Sequence, residues 1–223
     1  MIATWPCPAS GGGEASEYAF VQDRARRFRV LVVPALFDEA NRLRRLTVAA
    51  MRLLDRAGLD CFLPDLPGSN ESLQVLEAQT LDDWRAAVAA AARHFRASHV
   101  LAVRGGVLAC AGLGLPVLAY APVGGASILR QMMRMRVLAS REAGQEESTA
   151  GLLERGLAEG IELAGYRLSA AMVAGLQAAE PGPATVIAQG DIGGAGLWLR
   201  AEPGEDAAQA AALAARITAE CGA

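Results

Sequence analysis

The chain has 223 residues, of which 52% are hydrophobic and 20% charged, and its formal net charge is −3. This length and composition fit one α/β domain with a large core, which we assign to residues 1–223. The acidic balance argues against a nucleic-acid partner, and four cysteines without a C-x-x-C pair predict neither a metal site nor a disulfide framework.

The first half of the chain alternates short apolar runs with amphipathic segments. The predicted strands are FRVLVVP (28–34), DCFLPD (60–65), HVLAV (99–103) and PVLAYAP (116–122). The predicted helices between them are NRLRRLTVAAMRLLDRAG (41–58), ending at Gly58, then TLDDWRAAVAAAARHFRA (80–97), capped by Thr80, and GVLACAGLG (106–114). Strands separated by helices require a parallel sheet covered on both faces.

This alternation breaks after Pro122. Residues 124–177 are predicted to form two or three helices around a hairpin, IELAGYRLS (161–169), and we interpret this segment as a small helical lid insertion. The strand pattern returns in ATVIAQGD (184–191) and in LWLRAE (197–202). A last helix is predicted within AEPGEDAAQAAALAARITAE (201–220), with acidic residues near its start.

The segment HVLAVRGGVLA (99–109) has the strand, sharp glycine-flanked turn and helix that present the nucleophile in α/β-hydrolases. In those enzymes the apex residue is a nucleophile, but here it is Arg104. A guanidinium stays protonated at every cellular pH and is neither a nucleophile nor an ordinary base. The elbow therefore predicts the hydrolase-like fold without its usual chemistry.

Two further segments match the α/β-hydrolase plan, LPDLPGSNES (63–72) and the loop PALFDEANRLRR (34–45). With the arginine elbow, APVGGASILRQMMRMRVLAS (121–140) and IELAGYRLS, they resemble the proteins called exosortase A system-associated hydrolase 2. The resemblance covers roughly residues 28–177. It implies an α/β-hydrolase-like, mostly parallel sheet with helices on both faces and a role beside bacterial exopolysaccharide production and PEP-CTERM protein sorting.

The sequence offers no general base for a catalytic triad. In this fold the histidine comes late in the chain, but the only histidines are His94, on the helix before the elbow strand, and His99, which begins that strand. Cys110 is expected to be a buried core thiol, and Asp191 a solvated or helix-capping residue. We therefore expect no catalytic residues and no cofactor.

Arg104 has two open interpretations. It either forms an internal ion pair with Glu39, Asp38 or Asp65, or holds an anionic ligand beside the amide of Gly105. The two can coexist if Glu39 orients the guanidinium and leaves one side free. The other ligand-binding candidates, whose alternative roles are a helix cap and a solvated face, are Asn41, Arg44 and Arg45.

The helix SILRQMMRMRVLAS (127–140) is amphipathic. Its arginines Arg130 and Arg134, together with Arg141, lie within about 40° of one another on a helical wheel. They predict a solvated face, or a contact with an acidic partner or lipid head groups. The sequence shows no signal peptide and no uninterrupted apolar stretch of about 18 residues, so we expect a cytoplasmic protein without membrane insertion.

Three functions agree with these features. The first is a non-catalytic protein that binds an anionic small molecule or a partner protein in an exosortase-associated system. The second is an esterase, thioesterase or acyltransferase with a non-standard catalytic arrangement. The third is a structural interaction protein whose former pocket is filled by its own side chains. The accessibility of Arg104 separates the first function from the third; the oligomeric state is left open.

Overall fold

The computed structural model describes residues 1–222, and a seven-stranded sheet forms its centre. The strands of the chain are β1 (Ile2–Pro8), β2 (Glu14–Gln22), β3 (Arg29–Val33), β4 (Asp60–Pro64), β5 (His99–Val103), β6 (Val117–Tyr120), β7 (Ile161–Leu163), β8 (Tyr166–Leu168) and β9 (Thr185–Ile187). The central sheet has the order β1-β2-β4-β3-β5-β6-β9, in which the five strands from β4 to β9 are parallel. Strands β7 and β8 pair as a separate hairpin.

Seven α-helices surround the sheet. They are α1 (Asp38–Arg56), α2 (Leu81–His94), α3 (Gly125–Glu142), α4 (Thr149–Glu159), α5 (Ala170–Ala178), α6 (Gln189–Ile192) and α7 (Ala207–Cys221). Helices α1 and α7 cover one face of the sheet, while α2, α3 and α5 contribute to the core on the other face. This arrangement confirms the predicted α/β-hydrolase-like class, a mostly parallel sheet with helices on both faces.

The predicted helix boundaries are marked by local capping. Thr80 begins α2 with a capping box, because its hydroxyl accepts a hydrogen bond from the Asp83 amide and the Asp83 carboxylate accepts one from the Thr80 amide. Gly58 follows α1 with φ of +91°, a conformation that glycine adopts without strain. Asp206 caps α7 by accepting hydrogen bonds from two amides of its first turn.

Strands β1 and β2 form an antiparallel hairpin that the sequence analysis did not predict. Met1 and Val21 exchange both backbone hydrogen bonds. The backbone N–H and C=O groups of every second residue, counted from Met1, therefore point towards β2. Pro6 and Pro8 occupy the alternate positions, whose backbone points to the free edge of the sheet. A proline costs no ladder hydrogen bond there, and it hinders pairing with another chain.

One predicted helix is shorter than expected, and one predicted strand was wrong. The helix after the elbow strand is a 3-10 helix, Arg104–Cys110, which ends four residues before the predicted end at 114. LWLRAE does not form a strand, because Leu197–Leu199 is a 3-10 turn outside the sheet. Within residues 1–222 the central sheet therefore ends at β9.

The segment between β6 and β9 contains α3, α4, the β7–β8 hairpin and α5, in that order. Its composition agrees with the helices and hairpin predicted for residues 124–177. Helix α3 contributes Ile128, Leu129, Met132 and Met133 to the core on the α2 side of the sheet. Whether this segment acts as a lid stays a prediction.

Candidate functional site

The chain turns sharply at Arg104, at the carboxyl end of β5. Arg104 has φ of +53°, which is uncommon and strained for a residue with a side chain. Gly106 lies against the backbone of Val33 and Pro34, so a Cβ atom at this position would clash with their carbonyl oxygens. The close approach explains the glycine, and the turn between β5 and the following 3-10 helix has Arg104 at its apex.

The Arg104 guanidinium is occupied by groups of the protein itself. Its Nε and Nη2 atoms donate to the two carboxylate oxygens of Glu39, each at 3.0 Å, and its Nη1 donates to the Ala121 carbonyl at 2.7 Å. The guanidinium carbon lies 4.1 Å from the centre of the Trp198 ring, in a cation–π contact. Only 11% of the Arg104 side chain is exposed.

Glu39 is held in place by the start of α1. It is the second residue of this helix, where the helix dipole favours a negative charge. The helix begins after Phe37, whose φ of 54° and ψ of −132° turn the chain from β3 into α1. A bidentate carboxylate–guanidinium pair, with only 12% of the Glu39 side chain exposed, is a strong and directional contact.

The ion pair between Arg104 and Glu39 is one of the three pairs that the sequence predicts for Arg104. The other two acidic candidates contact different arginines. Asp38 pairs with Arg42 one helical turn away. Asp65 accepts a hydrogen bond from Asn70 at 2.9 Å and lies 3.8 Å from Arg44, while burial raises the pKa of its carboxyl group.

The aromatic side of the site was not predicted from the sequence. Trp198 belongs to the segment predicted as a strand, but the 3-10 turn instead brings its ring over Arg104. Tyr120, at the end of β6, lies with its ring centre 6.0 Å from that of Trp198 and donates to Gln189 at 2.5 Å. Burial raises the pKa of Tyr120 to about 12, so this hydroxyl stays protonated. Nothing in the local sequence predicts these long-range contacts.

The remaining ligand-binding candidates lie around the ion pair and make no polar contact with Arg104. Gly105 is buried, and a Cβ atom there would come within 2.5 Å of Ile128 Cδ1. Asn41 is exposed and lines a small cavity of about 80 Å³ beside Phe37, Trp84 and Tyr166, and Arg104 is not among its lining residues. Arg44 and Arg45 are exposed on α1.

The possible catalytic groups do not meet at the elbow. His94 ends α2, and His99 begins β5, at the opposite end of the strand from Arg104. Asp191 caps α6 by accepting the Ala188 amide at 2.8 Å. Cys110 is buried, and burial raises the pKa of its thiol to about 12, so it is not an activated nucleophile.

No group of three or more His, Cys, Asp or Glu side chains within residues 1–222 has the arrangement needed to hold a metal ion. In the same residues, every helix is too short or too polar to cross a bilayer.

No protein-family model matches the sequence, and no curated protein matches it. The chain is similar to a hydrolase from Agrobacterium vitis S4 at 17% identity and a TM-score of 0.47, over 56% of this chain and 54% of that protein. It thus spans about half of that protein's length.

Two further solved proteins are also similar. Est1E from Butyrivibrio proteoclasticus has 14% identity and a TM-score of 0.49, covering 73% of this chain and 67% of Est1E. The thermophilic esterase from Thermogutta terrifontis has 16% identity and a TM-score of 0.45, covering 72% and 59%. At these identities the likeness concerns the fold alone, and the named activities are those of the other proteins.

Proposed function

We propose that this protein is a non-catalytic α/β-hydrolase-fold protein that works through interactions with a partner. The observation that carries the proposal is the closed environment of Arg104, at the position where a hydrolase presents its nucleophile. Glu39, the Ala121 carbonyl and the Trp198 ring together occupy the guanidinium. The elbow therefore serves as a structural junction between β5, α1, β6 and the turn at Trp198.

The same contacts favour the internal ion pair over an anionic ligand. Arg104 has five N–H donors, and three of them are used within the protein. Glu39 occupies the Nε/Nη2 side of the guanidinium, so an incoming carboxylate or phosphate would have to displace Glu39 to bind on that side. It would then leave a mostly buried carboxylate without its partner, which is strongly unfavourable.

An enzymatic function would require a nucleophile and a base, and no described contact favours this alternative. The proposed cytoplasmic location rests on the sequence arguments alone. The proposed association with an exosortase and exopolysaccharide system rests on the resemblance of the quoted motifs. Both belong to the proposal.

The test is an activity measurement on the purified protein and on Arg104→Ser. We expect no turnover of p-nitrophenyl esters or acyl-CoA thioesters above buffer, and no labelling by a fluorophosphonate probe. Arg104→Ser restores a hydroxyl at the apex but supplies no histidine, so it is expected to stay inactive. Stoichiometric labelling, or a rate abolished by a single Ser or Cys substitution, would show that the protein is an enzyme.

A further inference from the structure

The solvent face of α3 carries a straight basic ridge. Arg130, Arg134, Leu138 and Arg141 follow one another at intervals of four, four and three residues, so they lie along one side of the helix. With a rise of about 1.5 Å per residue, the ridge is about 16 Å long. All four side chains are exposed.

The three arginines of this ridge form no ion pair with residues 1–222. Arg136, on the same helix but off the ridge, shows the contrast, because it binds the Glu147 carboxylate through two hydrogen bonds. The ridge also includes an unusual apolar element. Leu138 is 59% exposed between Arg134 and Arg141, and Met135 beside it is 45% exposed.

Helix α1 provides an internal comparison. Arg45, Arg52 and Arg56 are also exposed and lie within about 40° of one another on its solvent face. No large apolar side chain of α1 is exposed beside them among the described residues. The α1 arginines therefore have the pattern of a solvated face, whereas the α3 ridge combines unpaired cations with an exposed apolar centre.

We propose that the α3 ridge docks an acidic helical segment of a partner protein. Such a segment would place carboxylates opposite the three arginines and one apolar side chain against Leu138 and Met135. Guanidinium groups form bidentate contacts with carboxylates, and the apolar contact would fix the register between the two helices. The proposal is independent of the role of Arg104, since α3 presents this face to solvent.

The geometry favours a protein segment over an anionic membrane surface. A helix that lies on a membrane inserts its apolar face among the lipids. The apolar face of α3, with Ile128, Leu129 and Met132, is instead buried in the protein core. Glu142, the last residue of α3, and Glu146, in the linker after it, are exposed, and they would be repelled by a continuous negative surface.

The experiment measures binding of a labelled helical peptide by fluorescence anisotropy at low ionic strength. The peptide is alanine- and glutamine-based, with Glu at positions i, i+4 and i+11 and Leu at i+8. The test variant is Arg130→Gln/Arg134→Gln/Arg141→Gln. The matched control is Arg45→Gln/Arg52→Gln/Arg56→Gln, which removes the same charge from the other helix. A second test variant, Leu138→Ser, keeps every charge.

We expect the wild type and the α1 control to bind the peptide with dissociation constants within twofold of each other. The α3 triple variant is expected to bind at least tenfold more weakly, and Leu138→Ser to lose part of the affinity. The proposal is wrong if the wild type does not bind, or if both triple variants lose affinity equally. The wild type could also bind phosphatidylglycerol vesicles as tightly as the peptide, with this binding lost in the α3 triple variant. That result would assign the ridge to lipid instead.

Discussion

Replacement of Arg104 by alanine is the most direct test of the elbow's structural role. The substitution removes the bidentate contact with Glu39, the hydrogen bond to the Ala121 carbonyl and the stacking on Trp198. Glu39, with 12% of its side chain exposed, is then left without its partner. Breaking such a mostly buried pair costs about 3 kcal/mol of the free energy of unfolding.

For a chain of this size, each kcal/mol lowers the melting temperature by about 2–4 °C. We therefore expect Arg104→Ala to melt about 6–12 °C below the wild type, as measured by circular dichroism. Arg134→Ala removes an exposed arginine without an ion pair in the described chain, so it serves as the control and is expected to change stability by less than about 0.5 kcal/mol.

A double-mutant cycle identifies the partner. Glu39→Gln is expected to destabilise the protein because it leaves the Arg104 charge mostly buried. The double variant Arg104→Ala/Glu39→Gln is expected to lose less stability than the sum of the losses in the two single variants. The structural reasoning is refuted if Arg104→Ala melts within about 2 °C of the wild type while losing a thermal shift given by citrate or phosphate. That result would identify an anion site.

Three further predictions concern other parts of the molecule. The linker 143–148 is exposed apart from Glu147, so endoproteinase Glu-C should cut first after Glu146 and leave a folded sheet core; resistance of this bond would indicate a tight interface. Hydrogen bonds from Arg136, and then from Ser140 and Arg155, lower the pKa of Glu147 from its ordinary 4.5 to about 2. The stabilisation of the folded protein by the Glu147 carboxylate is thus present above pH 4.5 and lost as the pH falls towards 2. The melting temperatures of the wild type and Glu147→Gln should therefore converge over this range. Asp60 is fully buried and accepts hydrogen bonds from two backbone amides and from Arg29, so Asp60→Asn should cost about 3 kcal/mol in urea unfolding, and an unchanged midpoint would contradict this role.

Much of the fold follows from the sequence because its signals are local. The apolar runs that become β3 to β6 and β9, the Thr80 capping box and Gly58 after α1 can each be recognised within a few residues. That both histidines, His94 and His99, precede Arg104 can also be read from the sequence. Glu39 could be named as a partner of Arg104 because parallel strands bring their carboxyl ends to one edge of the sheet.

Only the tertiary structure decided how the first strands pair and which side chains contact Arg104. The β1–β2 hairpin was missed because Pro6 and Pro8 argue against a strand until their place on the free edge is known. Glu39 was selected over Asp38 and Asp65 because only its carboxylate meets the Arg104 guanidinium. Asp38 begins the same helix but pairs with Arg42, and Asp65 lies beside Asn70 and Arg44. Trp198 reaches Arg104 across 94 positions of the chain, through a 3-10 turn that local apolar patterning cannot distinguish from a strand. Contacts between residues so distant in sequence depend on packing, and packing selected the partners of Arg104 that the sequence left open.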